Sequence, residues 1–297
     1  MGIRGTVHEY GFKKTAFEFN EDGKVAENVV VFIGGLTDGL MTVQYLPKLA
    51  EKLGSLGNWV LIQGLLTSSY VGWGQSSLQQ DNIEIGRLVS YLRSEKGGSR
   101  KKIILMGHST GCQDTIRYLC NYSYQEKFQK SMEIDGGILQ APVSDREGIA
   151  EDVGEDNLDK LVEQVKVEYL DKGLKNQMLP LNFTRVSLGY PTTAYRFHSL
   201  FSKFGDDDFF STYITDEQLK DSFGKVKKPL LSLYGDEDQY TPVFVDKQNL
   251  ISRWQKATDE KYWSKLSKVL LKANHTVDDP QATEDLIETV KKFVLSI

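Results

Sequence analysis

The sequence predicts an α/β protein: a mostly parallel eight-stranded sheet with helices on both faces and a helical insertion after the sixth strand. Three observations predict it. Short unbroken apolar runs, the mark of strands buried on both faces, recur at residues 29–33, 60–65, 102–106, 136–140, 230–234 and 269–272. Segments of helical periodicity lie between most of them, as crossover connections in a parallel sheet require. One interval, residues 145–225, carries helical patterns but no strand, and it is far longer than a plain connection.

In chain order, residues 5–10 and 15–19 read as two short strands joined by the turn Gly11-Phe12-Lys13-Lys14, a hairpin that completes the eight strands. Strand 29–33 runs into a glycine loop, Gly34-Gly35-Leu36-Thr37-Asp38-Gly39. Strand 60–65 is followed by a loop over 68–78 in which Trp73 stands between two glycines. A helix over 81–95 has Ile83, Leu88 and Leu92 on its apolar side and Asp81 near its start. Strand 102–106 enters Gly107-His108-Ser109-Thr110-Gly111, which opens a helix over 112–119 with Cys112, Ile116 and Cys120 on its buried face. Strand 136–140 precedes the insertion, where residues 158–170 have helical spacing. Strand 230–234 leads into Gly235-Asp236-Glu237-Asp238, and strand 269–272 into Ala273-Asn274-His275. Leu286, Ile287, Val290 and Phe293 mark a last helix over 281–295. This is the order of the α/β-hydrolase fold, with a core of residues 1–144 and 226–297 and a helical cap over 145–225.

The 297 residues carry 36 basic and 41 acidic side chains, a formal charge of −5, and 40% are hydrophobic. That composition suits a globular protein and, without a basic block, argues against a partner as anionic as nucleic acid. The longest apolar runs, 29–36 and 59–66, fall far short of the roughly 20 residues of a membrane span. The opening MGIRGTVHEY lacks the apolar stretch of a secretory signal, so the expected compartment is the cytoplasm. Two cysteines cannot build a disulfide framework or a thiolate metal site. The run Gly205-Asp206-Asp207-Asp208-Phe209-Phe210 has no histidine or second acidic loop at ligand spacing and reads as a solvated turn or helix start. No metal and no cofactor is expected.

The chemistry concentrates at the C-terminal ends of the strands. Gly107-His108-Ser109-Thr110-Gly111 has the G-x-S-x-G form, and it lies between a strand and a helix, as a nucleophile elbow must. The glycines leave room for the strained serine backbone, and the following helix aims its positive end at the site. A serine hydroxyl needs a base. Of the four histidines, His8 lies in the hairpin, His108 points away from the elbow and His198 belongs to the insertion, whereas His275 follows the last strand. The acid that orients the base should follow the seventh strand, where the G-x-x-D form selects Asp238, with Asp236 as runner-up. Two amides must bind the oxyanion: Thr110 N–H, directly after the serine, and Leu36 N–H from the glycine loop, with Gly35 the alternative. Asp38 either touches substrate or caps the next helix. Trp73, Tyr190 and Phe197 are candidate walls of the pocket, Trp73 being equally open to local packing, and Gly35 is a further substrate-binding candidate.

The segments GGLTDGL, SSYVGWGQSSLQQD, ILMGHSTGCQD, YPTTAYRFHSLFS, DDDFFSTYITDEQL and YGDEDQYTP resemble the fungal fusarinine C esterase-like α/β-hydrolases over roughly Val29 to His275. The cap segments are the specific part, because many hydrolases share the elbow and the acid turn. The resemblance implies hydrolysis of ester bonds in hydroxamate siderophores, and by motif position it carries Ser109, Asp238 and His275 over as triad. The expectation is therefore a serine carboxylic-ester hydrolase acting on a small-molecule ester. The competing readings are a ligand-binding or signalling protein on the same fold, and an acyltransferase.

Overall fold

The computed structural model describes residues 2–20 and 23–297. Its strands are β1 (Thr6–Gly11), β2 (Lys14–Glu18), β3 (Asn28–Ile33), β4 (Trp59–Gly64), β5 (Lys102–His108), β6 (Gly136–Gln140), β7 (Leu230–Gly235) and β8 (Lys268–Leu270). They form one eight-stranded sheet in the order β1-β2-β4-β3-β5-β6-β7-β8. The hairpin pairs antiparallel and joins β4 antiparallel, and β3 to β8 run parallel.

Alternation along β5 shows how the apolar runs build two cores. Ile103 and Leu105 point to one face of the sheet, Ile104 and Met106 to the other. The first face is covered by α2 (Leu78–Arg93), α3 (Gly111–Cys120) and α8 (Lys247–Ala257), through Leu88, Ile116 and Trp254 among others. The second is covered by α1 (Leu46–Gly54) and α9 (Pro280–Ser296), through Leu49 and Val290. Crossover helices on both faces leave the loops at the C-terminal ends of the parallel strands free to converge.

Between β6 and β7 lie α4 (Asp145–Val153), α5 (Glu155–Val165), α6 (Ala194–Phe201) and α7 (Asp216–Leu219), and no strand forms there among the described residues. Leu158, Phe183, Phe197 and Phe201 make a third apolar cluster, separate from the two sheet cores. The later part behaves differently: Phe210, Leu219 and Phe223 pack with Tyr234 and Trp254 in the first sheet core, the Phe223 ring stacked on Trp254 at 5.3 Å.

Three details depart from the sequence reading. The helix placed at 81–95 begins earlier, because the Ser77 hydroxyl accepts the Gln80 N–H and caps it, which leaves Asp81 inside the helix, buried and bonded to the Ser76 hydroxyl. The helix placed at 158–170 is α5 followed by a single π turn, Lys166–Leu170. Asp207 is not solvated: it is buried against Arg196, with 2.6 Å between Oδ1 and Nη1. Among the described residues, no helix is long and apolar enough to cross a membrane.

Candidate active site

β5 ends in a turn that few sequences can make. Ser109 has a φ of 55°, a left-handed conformation that costs an ordinary residue of order 1–3 kcal/mol. The neighbouring glycines make the turn possible: a Cβ on Gly107 would lie 2.0 Å from the Gly111 carbonyl oxygen, and one on Gly111 would lie 2.3 Å from that of Ile33. Ser109 N–H donates to Gln140 O at 3.0 Å, and Ser109 O accepts Cys112 N–H at 2.8 Å, so the backbone on either side of the hydroxyl is fixed. The side chain stands at the head of α3.

His275 lies between β8 and α9, with its Nδ1 2.8 Å from Asp238 Oδ2, both groups buried. Asp238 Oδ1 accepts the Tyr240 N–H at 3.0 Å. The His275 backbone is held from both sides: its N–H donates to Gln239 Oε1 at 3.0 Å and its carbonyl accepts from Gln140 Nε2 at 3.2 Å. Asp236, the runner-up, is occupied elsewhere, since its carboxylate accepts the Ala273 N–H at 3.1 Å and ties the β7 turn to the loop after β8.

Ser109 and His275 line one cavity of about 250 Å³, together with Leu36, Val143, Ile149, Leu188, Phe201 and Tyr240. A larger depression of about 910 Å³, around Phe19, Pro47 and Trp59, shares no residue with it and holds neither a serine nor a histidine. Gly35 lies against the serine, where a Cβ would come within 2.5 Å of Ser109 Cβ. Its N–H, the alternative oxyanion donor, is already taken by Asp38 Oδ2 at 2.8 Å. The N–H groups of Leu36 and Thr110 make no hydrogen bond within the protein among the described residues. Asp38 caps no helix, because α1 begins only at Leu46.

The three candidate walls lie away from this cavity. Trp73 and Phe197 are buried in the third apolar cluster, Tyr190 meets the Trp73 ring edge-on at 6.2 Å, and none of the three lines the cavity. An aromatic residue between glycines was free to turn inward, and the helical layer above gave it more apolar surface there than the cavity does.

His108 also needs amending. It lines the same cavity as Ser109, its ring lies 4.9 Å from that of His275, and its Nδ1 is 2.6 Å from Gln140 Oε1. Burial, and then the neighbouring His275, push its pKa down to about 4, so it is a neutral imidazole near pH 7. Gln140 takes Tyr45 O–H on the same oxygen, 2.8 Å away, and so locks the strand end, His108 and the His275 loop together. Period-two alternation along β5 already puts His108 on the inward side with Ile104 and Met106; Gln140 left no comparable trace. Asp145 on α4 lines the cavity too, accepts Gln113 Nε2 at 2.6 Å, and is pushed up to about 8 by burial and then by Asp207. Among the described residues no group of three or more His, Cys, Asp or Glu side chains is arranged to hold a metal.

A parallel sheet whose fifth strand delivers a serine through a strained turn, facing a histidine that follows the eighth, defines an α/β-hydrolase. The chain belongs to the family described as protein of unknown function DUF1749, whose model matches residues 1–295. It is 34% identical to an esterase of Emericella nidulans, covering 97% of this chain and 90% of that one. It is likewise 34% identical to the fusarinine C esterase of Aspergillus fumigatus, over 95% of this chain and 92% of the other. The solved structure of the siderophore hydrolase EstB from Aspergillus fumigatus superposes with a TM-score of 0.82 at 31% identity, covering 99% of this chain and 98% of that one. Fold and relatives together make this chain an esterase.

Proposed function

We propose that the protein is a serine carboxylic-ester hydrolase in which Ser109, His275 and Asp238 form the catalytic triad. The observation that carries this reading is the 2.8 Å contact between His275 Nδ1 and Asp238 Oδ2 in the cavity that Ser109 also lines. With its Nδ1–H directed at Asp238, the imidazole presents Nε2 as the base. His275 takes the Ser109 proton as Oγ attacks the ester carbonyl, and the N–H groups of Leu36 and Thr110 receive the oxyanion. The imidazolium then protonates the leaving alcohol, and His275 activates water to release the acid. Asp238 stabilises the imidazolium without taking its proton. The chemistry needs no metal or cofactor.

The relatives' substrates suggest the substrate class: esters of fusarinine-type hydroxamate siderophores, cleaved in the cytoplasm. A cavity of about 250 Å³ accommodates the groups flanking one ester bond, with the rest of a larger molecule outside its mouth. Residues 145–225 serve as the cap, with α4 and α6 supplying Ile149 and Phe201 to the cavity. The test is hydrolysis of p-nitrophenyl acetate and butyrate, then of ferric and iron-free fusarinine-type esters, by the wild type and Ser109→Ala with chelator present. Turnover by the wild type alone supports the mechanism. Simple esters cleaved while fusarinine-type esters survive would remove the siderophore and leave the mechanism standing.

A further inference from the structure

The loop after β3 contains a device that the elbow alone does not explain. Residues Gly35 to Asp38 form a tight turn, in which the Asp38 N–H donates to Gly35 O at 3.1 Å and the Gly35 N–H donates back to Asp38 Oδ2 at 2.8 Å. The turn contains Thr37 at a φ of 67°, an unfavourable conformation for a β-branched residue that must be held in place by its surroundings. The far end of the loop has independent anchors: Gln63 bonds Gly39 O and the Met41 N–H, and the Tyr70 hydroxyl accepts the Leu40 N–H. The near end does not. The Asp38 carbonyl accepts the Tyr70 N–H at 2.8 Å, and among the described residues the hydrogen bonds of Gly35, Leu36 and Thr37 outside the strand ladder go only to Asp38. The Asp38 side chain is itself fixed by the Thr42 hydroxyl on Oδ1 at 2.9 Å, and Oδ2 lies 3.7 Å from His108 Nε2, outside hydrogen-bond range.

We propose that Asp38 is a positioning residue for the oxyanion site: it engages the Gly35 N–H, closes the turn, and so leaves the Leu36 N–H as the donor beside Ser109. This rests on the serine-esterase reading. Asp38 is required as a hydrogen-bond acceptor at one place, and its charge is incidental. Three variants separate these roles. Asp38→Asn keeps an acceptor oxygen in position without the charge, Asp38→Glu keeps the charge but moves it by a methylene, and Asp38→Ala removes both.

The experiment measures kcat and KM on a p-nitrophenyl ester, and inhibition by an alkyl trifluoromethyl ketone, whose serine adduct bears the oxyanion. Asp38→Ala and Asp38→Glu should lose about 10- to 100-fold in kcat with KM within about threefold, and should lose ketone affinity in proportion, because a displaced oxyanion donor acts on the transition state. Asp38→Asn should stay within about threefold of the wild type on all three measures. If Asp38→Ala does not fold, the contrast between the Asn and Glu variants decides alone. Unchanged kcat and ketone affinity in the Glu variant would overturn the proposal, as would an Asn variant as impaired as the Ala one. A rise in KM with kcat preserved would overturn it too, since that marks direct substrate contact. A wild type inert towards both ester and ketone would instead remove the esterase reading beneath it.

Discussion

At the scale of single residues, the site joins groups whose chemistry depends on neighbours from different strands. Asp238 and Asp236 are two positions apart, yet one meets the His275 ring and the other a backbone amide of the same loop. The turn form pointed to Asp238, but three carboxylates in four residues could not be separated further until β7 and β8 were placed side by side. His108 shows the opposite case. Its neighbours in sequence explain little, and its neutrality comes from burial beside His275. That neutrality has a consequence for stability. The unfolded chain protonates His108 near the ordinary histidine pKa of about 6.5, whereas the folded protein resists protonation until about 4. The unfolded state therefore binds more protons in that window, and stability present above pH 6.5 is lost as pH falls towards 4. His108→Gln, which can still donate to Gln140, should flatten this decline by about 1–2 kcal/mol between pH 7 and 4.5, measured by urea unfolding. Parallel declines in both proteins would show that His108 is not the group responsible.

At the scale of elements, the strands were legible because a strand buried on both faces has little choice but an unbroken apolar run, and their ends fall within about two residues of the expected ones. Helix ends were less so. Ser77 caps α2 ahead of the apolar pattern that was visible, and the π turn at 166–170 leaves the helical spacing of its side chains nearly undisturbed. The strand–serine–helix turn is the most constrained element, with both glycines against backbone atoms that cannot move aside. Gly107→Ala should therefore cost about 3 kcal/mol or more, or prevent folding, whereas Gly54→Ala at the end of α1, where a Cβ meets nothing within 4 Å, should change stability by less than about 1 kcal/mol. Denaturant titration of the two variants checks this, and equal effects would contradict the steric account of the elbow.

At the scale of the whole molecule, the sheet brings together loops distant in sequence, and the helical insertion closes over them. The insertion itself was legible as an interval without strands. Its inner packing was not, because Trp73, Tyr190 and Phe197 could face either a cavity or one another, and only the placement of α5 and α6 decides between these. The cavity has a one-sided electrostatic character: Asp38, Glu151 and Asp152 line it, Asp145 is kept mostly neutral near pH 7 by burial, and no lysine or arginine is among the described lining residues. Esters bearing a carboxylate near the scissile bond should thus be poorer substrates than neutral analogues of the same size. We expect about a tenfold lower kcat/KM at low salt, a gap that narrows as ionic strength rises. Equal turnover of a matched pair, such as methyl-terminated and carboxylate-terminated p-nitrophenyl esters, would mean that the acidic lining does not reach the substrate.

The most direct test of the triad is the covalent one. The wild type and the Ser109→Ala and His275→Ala variants would be treated with a fluorophosphonate, and the adduct located by peptide mass spectrometry. The account predicts one adduct per chain on the peptide carrying Ser109, none there in Ser109→Ala, and labelling slowed about 10³-fold or more in His275→Ala. An adduct on a different serine, or wild-type and His275→Ala proteins labelled at equal rates, would contradict the assignment of Ser109 and His275 as nucleophile and base.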